Sequence, residues 1–146
     1  MKYPQLVVYE REGRVADLLR RRLEDVLWRE GRTPPGWLLY ERRQTEACLR
    51  QMRRGGPAVL VVRLGSNLPR ELGLVDRVSR LHPDVQVVVV GEDEDPVLAG
   101  LAWDVGASYV HLPPQPRDLL PEVVRGLMAA AADRLRAAAP GGADCP

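Results

Sequence analysis

Lysine is almost absent from this 146-residue chain. Lys2 is the only lysine, and every other basic residue is an arginine. Because arginine stays protonated in proteins, it does not replace lysine as a base or a nucleophile. The near-absence therefore excludes catalysis that depends on a lysine.

Cysteine is also scarce, and long apolar runs are missing. Cys145 lies in a Gly/Pro-rich tail, so we expect no disulfide with Cys48 and a reducing, cytosolic location. No Cys-x-x-Cys or His/Cys cluster predicts zinc. No apolar run approaches the roughly 18 residues of a membrane span, and no signal peptide follows Met1. We therefore expect a cytoplasmic protein that needs no metal, no cofactor and no membrane.

Charge of one sign does not dominate either. Residues 1–56 carry 13 basic and 8 acidic side chains, whereas residues 57–146 carry 8 and 12. This balance lacks the basic signature of a nucleic-acid-binding domain, so we expect no direct contact with nucleic acid. The Gly-rich pair before Pro57 precedes a strand instead of following one, unlike a phosphate-binding fingerprint. Ser, His and Asp occur only scattered in loops, and we expect no enzyme.

A buried apolar run is the strongest signal in the chain. Ala58–Val62 is continuous and valine-rich, which is typical of a strand covered on both faces. Arg63 follows, and an unpaired charge is costly inside a core. We therefore expect Arg63 where the strand emerges at its carboxyl end, which carries the binding site in open α/β sheets.

Five strands alternate with five helices along the chain. This order predicts a parallel sheet with helices on both faces, in one domain over residues 1–138 with a frayed tail at 139–146. The predicted strands are Leu6–Tyr9, Trp37–Tyr40, Ala58–Val62, Val85–Val90 and Ser108–Leu112. The predicted helices run from Val15 through Leu27 with a stop at Gly31, over Thr45–Arg54, over Leu72–Leu81, after the N-cap Asp95, and from Asp118.

The stretch from Gly106 to Leu119 carries a family likeness. It reads Gly-Ala-Ser-Tyr-Val-His-Leu-Pro-Pro-Gln-Pro-Arg-Asp-Leu. His82-Pro83-Asp84 before the fourth strand fits the same family, as does Pro69 with a glycine four residues later. Over residues 5–137 the chain resembles the receiver domain of bacterial response regulators. The resemblance implies a flavodoxin-like (βα)5 three-layer sandwich with a five-stranded parallel sheet of order 2-1-3-4-5 and a site between the first and third strands.

The resemblance also implies where a phosphorylation site belongs. A working receiver uses an acidic pair and Mg²⁺ beside a phosphoacceptor aspartate, with a hydroxyl and a lysine that read the phosphate. The matching positions here are Tyr9 and Glu10 for the acidic pair, Arg63 for the phosphoacceptor, Gly91 for the hydroxyl and Leu112 for the lysine. Only Glu10 keeps the required chemical type. The pattern is that of a pseudo-receiver, in which the fold is kept and phosphotransfer is lost.

Two further expectations concern contacts at these positions. A bidentate pair between Glu10 and Arg63 is expected, with Glu92 or Asp93 as a further partner; the alternative is that Arg63 points into water. The acidic run beginning at Glu92 is expected to be a solvated helix start and not a metal site.

Function is expected to come from binding another protein. In receivers the surface of the fourth helix, fifth strand and fifth helix is the usual docking face, where Trp103, Tyr109 and His111 lie; ordinary packing is the alternative for the two larger rings. The partner is a kinase, a regulator or a second copy, the last through the final two βα units. Two alternatives stay open: a small-ligand sensor using the altered pocket, and a phosphoacceptor displaced to Glu10 or Asp93.

Overall fold

The computed structural model describes residues 3–27, 36–54 and 56–138. Strands and helices alternate throughout, as the sequence predicts. The strands are β1 (Gln5–Tyr9), β2 (Leu38–Arg42), β3 (Ala58–Arg63), β4 (Gln86–Val90) and β5 (Tyr109–His111). The helices are α1 (Arg14–Arg22), α2 (Thr45–Arg54), α3 (Leu68–Leu81), α4 (Pro96–Asp104) and α5 (Leu119–Ala138). The tail predicted at 139–146 lies outside the described residues.

The five strands form one parallel sheet of order β2-β1-β3-β4-β5. This confirms the predicted order. In β3 every residue from Ala58 to Val62 is inaccessible to solvent, because β1 and β4 flank the strand and helices cover both faces. The central position explains why its apolar run shows no alternation with polar residues.

Alternate residues of each strand build two cores, one on each face of the sheet. Val62 and its neighbours face α2, α3 and α4, where Leu74 of α3 is fully buried. Val61 and its neighbours face α1 and α5, where Leu19 and Val124 are fully buried. The result is the three-layer sandwich that the resemblance implies.

Helix α1 is shorter than the sequence pattern predicts. It ends at Arg22, and Leu23 closes it by donating its backbone N–H to the carbonyl of Leu19. Beyond this point Leu27 forms a single parallel bridge with Trp37 instead of another helical turn. The prediction through Leu27 was wrong because the spacing of apolar residues after Leu23 also suits a turn that packs them on the same core. The predicted stop at Gly31 lies outside the described residues.

Side-chain caps fix where α3 and α4 begin. Asp95 accepts a hydrogen bond from the N–H of Leu98 at 3.1 Å, which confirms the predicted N-cap. Asn67 does the same for Arg70 at 3.2 Å, so α3 begins one turn before the predicted position. Within the described residues no helix is long and apolar enough to cross a membrane.

Candidate functional site

The strand register brings the five predicted pocket residues to one edge of the sheet. β1, β3, β4 and β5 are paired so that their carboxyl ends lie side by side. Each predicted residue either ends one of these strands or follows its last residue. They are Tyr9, Glu10, Arg63, Gly91 and Leu112.

Glu10 is buried and caps the following helix. Its carboxylate oxygens accept hydrogen bonds from the backbone N–H groups of Val15 at 3.0 Å and Ala16 at 2.7 Å. These N–H groups have no partner inside α1, and the positive end of the helix dipole favours a carboxylate there. The predicted ion pair with Arg63 was wrong, because the first turn of α1 already takes both oxygens of Glu10.

Arg63 turns instead toward the loop after β4. Its side chain is 10% exposed, and Nη2 donates to Oε1 of Glu92 at 2.9 Å. A second, longer contact joins Nη1 to Oε2 of Glu12 at 3.8 Å. Burial by itself lowers the pKa of Arg63, but the hydrogen bond and charge of Glu92, with the charges of Glu12 and Glu10, leave this pKa raised. Glu92 as a partner of Arg63 is thus confirmed, and the cation stays permanently charged.

Glu92 joins two arginines. Besides its bond from Arg63, it accepts from Nη2 of Arg117, which lies 2.6 and 2.5 Å from its two oxygens. The hydrogen bonds from Arg117 and Arg63 hold the pKa of Glu92 below its usual value. This network links the loop after β4 with the segment that leads into α5. It holds this edge of the sheet together with side chains alone.

Gly91 and Leu112 fit each other. Leu112 is buried, and its Cδ2 lies where a side chain on Gly91 would begin: a Cβ placed there would be 2.3 Å away. No hydroxyl-bearing residue fits at position 91 while Leu112 keeps this orientation. One apolar contact therefore joins the two positions at which the sequence analysis looked for a hydroxyl and a lysine.

Glu71 is a site residue that the sequence analysis missed. It is 3% exposed, and its carboxylate accepts from the backbone N–H groups of Gly65 at 3.0 Å, Ser66 at 3.1 Å and Asn67 at 3.2 Å. It thus holds the loop after β3. The available signal was the capping residue Asn67 followed by a glutamate in the first turn of a helix.

Solved structures with this architecture include response-regulator receiver domains and CheY-like proteins. The chain is similar to a response regulator from Thermotoga maritima, with 22% identity, a TM-score of 0.65, and coverage of 88% of this chain and 99% of that one. A CheY-like protein, tadZ, from Pseudomonas aeruginosa has 22% identity and a TM-score of 0.64, and the match covers 85% of this chain and 98% of that one. The isolated REC domain of RcsB from Salmonella enterica serovar Typhimurium has 14% identity and a TM-score of 0.62, and the match covers 90% of this chain and 92% of that one.

The chain therefore has a receiver-domain fold. At these identities the likeness concerns the fold alone. No protein-family model matches the sequence, and no curated protein matches it.

The predicted docking residues of this receiver fold differ in exposure. Trp103 on α4 is 50% exposed. Tyr109 is partly buried, and its hydroxyl lies 3.4 Å from the side-chain oxygen of Gln115. His111 is only 3% exposed, and its Nδ1 has no hydrogen-bond partner. Burial, followed by the charge of Arg117, lowers the pKa of His111, so its ring is neutral at neutral pH inside the fold.

Helix α4 presents more apolar surface than its neighbours. Val97 is 74% exposed and Leu101 is 47% exposed, on a helix whose sole charged residue is Asp104. Surface helices normally carry polar side chains on the face away from the core. The apolar exposure of α4 is therefore the most informative feature of this side of the molecule.

The described residues form neither a metal-binding cluster nor a reactive thiol. Within residues 3–27, 36–54 and 56–138, no group of three or more His, Cys, Asp or Glu side chains is placed to hold a metal ion. Cys48 is buried in the core, where burial raises the pKa of its thiol to about 12. Cys48 is therefore a packing residue and not a nucleophile.

Proposed function

We propose that this chain is a pseudo-receiver: a regulatory module of two-component signalling that acts without phosphorylation, by binding another protein. The observation that carries the proposal is Arg63 at the carboxyl end of β3, hydrogen-bonded to Glu92. A guanidinium cannot accept a phosphoryl group, because it stays protonated and its nitrogen atoms are not nucleophilic. Its fixed charge also lies where a receiver would place a divalent cation.

The neighbouring residues support the same proposal. Glu10 keeps an acidic side chain at the end of β1, but its oxygens serve the N-terminus of α1. Leu112 fills the space over Gly91, so neither a hydroxyl nor a lysine ammonium faces the pocket from β4 and β5. The edge of the sheet is thus held in one arrangement by contacts that need neither Mg²⁺ nor phosphate.

Phosphorylation independence is tested by exposure to a small phosphodonor. The purified chain is incubated with acetyl phosphate and Mg²⁺, and its intact mass is measured beside a phosphorylatable receiver domain as a positive control. We expect no gain of a phosphoryl group. A stoichiometric mass gain would defeat the proposal, and peptide mapping would then decide between Glu10 and Asp93 as the acceptor.

Protein binding is supported by the apolar surface of α4. Val97 and Leu101 lie one turn apart on α4, and Trp103 on the same helix is also half exposed. Exposed apolar patches mark interaction sites. We propose that this surface, with the edge of β5, contacts a kinase, a regulator or a second copy of the chain. His111 would support such a contact from below, since its own side chain is buried.

The docking proposal is tested with a matched pair of charge insertions. Leu101→Arg places a cation in the α4 surface, and Leu81→Arg does the same on an exposed apolar residue at the end of α3. Sedimentation velocity measures self-association, and cross-linking in the host followed by mass spectrometry identifies other partners. We expect Leu101→Arg to abolish the interaction and Leu81→Arg to preserve it. Equal loss in both variants, or in neither, would contradict the proposal.

A further inference from the structure

A cavity of about 170 Å³ opens at the carboxyl edge of the sheet, between the segments that follow β1, β2 and β3. Tyr9, Glu10 and Glu71 contribute its buried lining, and its other lining residues come from three loops and from the first turn of α3. The loop after β1 supplies Arg11, and the loop between β2 and α2 supplies Arg43. None of the residues in this cavity belongs to the contacts between Arg63 and Glu92.

Three arginines converge on this cavity: Arg11, Arg43 and Arg70, the last from the first turn of α3. Among the described residues, none of their guanidinium groups has an ion pair or a side-chain hydrogen bond, whereas Arg20 and Arg77 pair with glutamates. All three arginines are exposed, so water solvates them when no ligand is bound and their donors stay available to an anion. Each one offers the planar fork of donors that suits phosphate oxygens.

The two carboxylates in the lining do not cancel this charge. Glu10 accepts from two backbone N–H groups and Glu71 from three, and among the described residues neither forms an ion pair with these arginines. Three positive and two negative groups leave the lining positive. Burial and then the charge of Glu71 raise the pKa of Tyr9, while the charges of Arg70 and Arg11 act in the opposite direction.

We propose that this cavity binds the phosphate group of a small phosphorylated molecule, held by Arg11, Arg43 and Arg70. The side chains of Ser66 and Asn67 line the same space and can donate further hydrogen bonds to phosphate oxygens. The site shares Tyr9 and Glu10 with the predicted pocket, but none of its lining residues is hydrogen-bonded to Arg63, so phosphate binding here does not require the proposed loss of phosphotransfer. It would make the module responsive to a soluble ligand.

The remainder of such a ligand has room next to the arginines. A second cavity of about 440 Å³ also includes Asn67 and Arg70 in its lining, together with Gly73 and Leu74 of α3. A Cβ on Gly73 would meet no atom within 4 Å, so this side of the helix is open. Its volume is sufficient for the sugar or base of a nucleoside monophosphate whose phosphate lies among the arginines.

Binding is measured by isothermal titration and by thermal shift at low ionic strength, with inorganic phosphate and adenosine monophosphate as the two probes. We expect saturable binding that Arg43→Gln and Arg70→Gln each weaken by about tenfold, because each removes one charge-assisted contact. The control is Arg50→Gln, an exposed arginine on α2 that lines neither cavity. The dissociation constant of this control should lie within about twofold of that of the parent chain.

The two probes distinguish the source of the phosphate. Tighter binding of the nucleotide than of inorganic phosphate would assign a ligand that also fills the second cavity, and equal binding would assign free phosphate. No saturable binding of either probe at about 5 mM would overturn the proposal. An equal loss in Arg50→Gln would overturn it as well, because binding would then follow overall charge and not the cavity. Neither result would bear on the acetyl phosphate experiment.

Discussion

Replacement of Arg63 by methionine or by aspartate separates the charge of this residue from its packing. Methionine keeps much of the apolar stem and leaves Glu92 its two contacts with Arg117. Aspartate restores the residue type of a phosphoacceptor. It also places a carboxylate near Glu10, Glu12 and Glu92, the three acids whose charges act on Arg63. We therefore expect the two variants to differ strongly in stability.

The magnitudes follow from the contacts of Arg63. Its hydrogen bond to Glu92 contributes roughly 1.5–3 kcal/mol, and the longer contact with the half-exposed Glu12 adds less than about 1 kcal/mol. Its buried Nε has no acceptor, which costs roughly 1–3 kcal/mol. These terms nearly cancel, so we expect Arg63→Met to lower the free energy of unfolding by only about 1 kcal/mol.

Arg63→Asp loses the same contacts and adds repulsion. Two carboxylates about 6 Å apart repel by roughly 3 kcal/mol at an effective dielectric constant of about 20. Arg117 still compensates the charge of Glu92, so only one repulsion between carboxylates is counted. The aspartate variant should therefore unfold about 3 kcal/mol more easily than the methionine variant.

Urea unfolding at pH 7, followed by circular dichroism, measures this difference. With a slope of about 2 kcal/mol per M, the two midpoints should lie about 1.5 M apart. Mg²⁺ at about 10 mM should raise the midpoint of Arg63→Asp alone, because only this variant offers a cluster of oxygen ligands. Coincident midpoints for the two variants would refute the reasoning, since they would mean that the charge at position 63 does not act on its acidic neighbours.

Three further experiments test the rest of the sheet edge. Gly91→Ser should lower the free energy of unfolding by about 1–3 kcal/mol by overpacking, and Leu112→Ala should relieve part of this cost, which a double-mutant cycle measures. Glu71→Gln should cost about 2–4 kcal/mol in urea unfolding, because the loop amides lose a charged acceptor, whereas the exposed control Glu46→Gln should cost less than about 0.5 kcal/mol. Burial lowers the pKa of His111, so the unfolded chain binds a proton that the folded chain excludes. Its stability should therefore fall as the pH drops below about 6.5 toward the folded pKa, and His111→Leu should reduce this slope in urea midpoints measured between pH 8 and pH 5.

The order of elements was predictable because two local signals agreed. The apolar run of β3 requires cover on both faces, and strands that alternate with helices require parallel pairing. Boundaries were harder to predict. The apolar residues after Leu23 satisfy both a helix and a turn, and only the pairing of Leu27 with Trp37 decides between them. Periodicity locates the face that packs on the core, but it does not determine where the backbone leaves the helix.

The sequence pattern also does not determine which groups Glu10 and Arg63 bind. Position at the strand ends predicts that they are neighbours, but not which atoms pair. Glu10 reaches N–H groups only five and six residues ahead, which lie at a fixed helix end. Arg63 has a longer side chain and meets Glu92 across a loop. The carboxylate of Glu10 therefore binds the backbone N–H groups of α1, which the helix already holds in place. The guanidinium of Arg63 binds Glu92, an acid that its longer side chain can reach.

The substitutions at the sheet edge depend on one another, which argues that restoring a single residue would not restore phosphotransfer. With an aspartate at position 63, Leu112 would still occupy the space above Gly91. A serine at position 91 would clash with that leucine unless it moved, and no lysine would follow β5. Glu92 would remain bound to Arg117, so one carboxylate that could help hold a cation would stay engaged. We therefore expect Arg63→Asp to gain affinity for Mg²⁺ without gaining a phosphoryl group from acetyl phosphate, and phosphorylation of that single variant would contradict this interdependence.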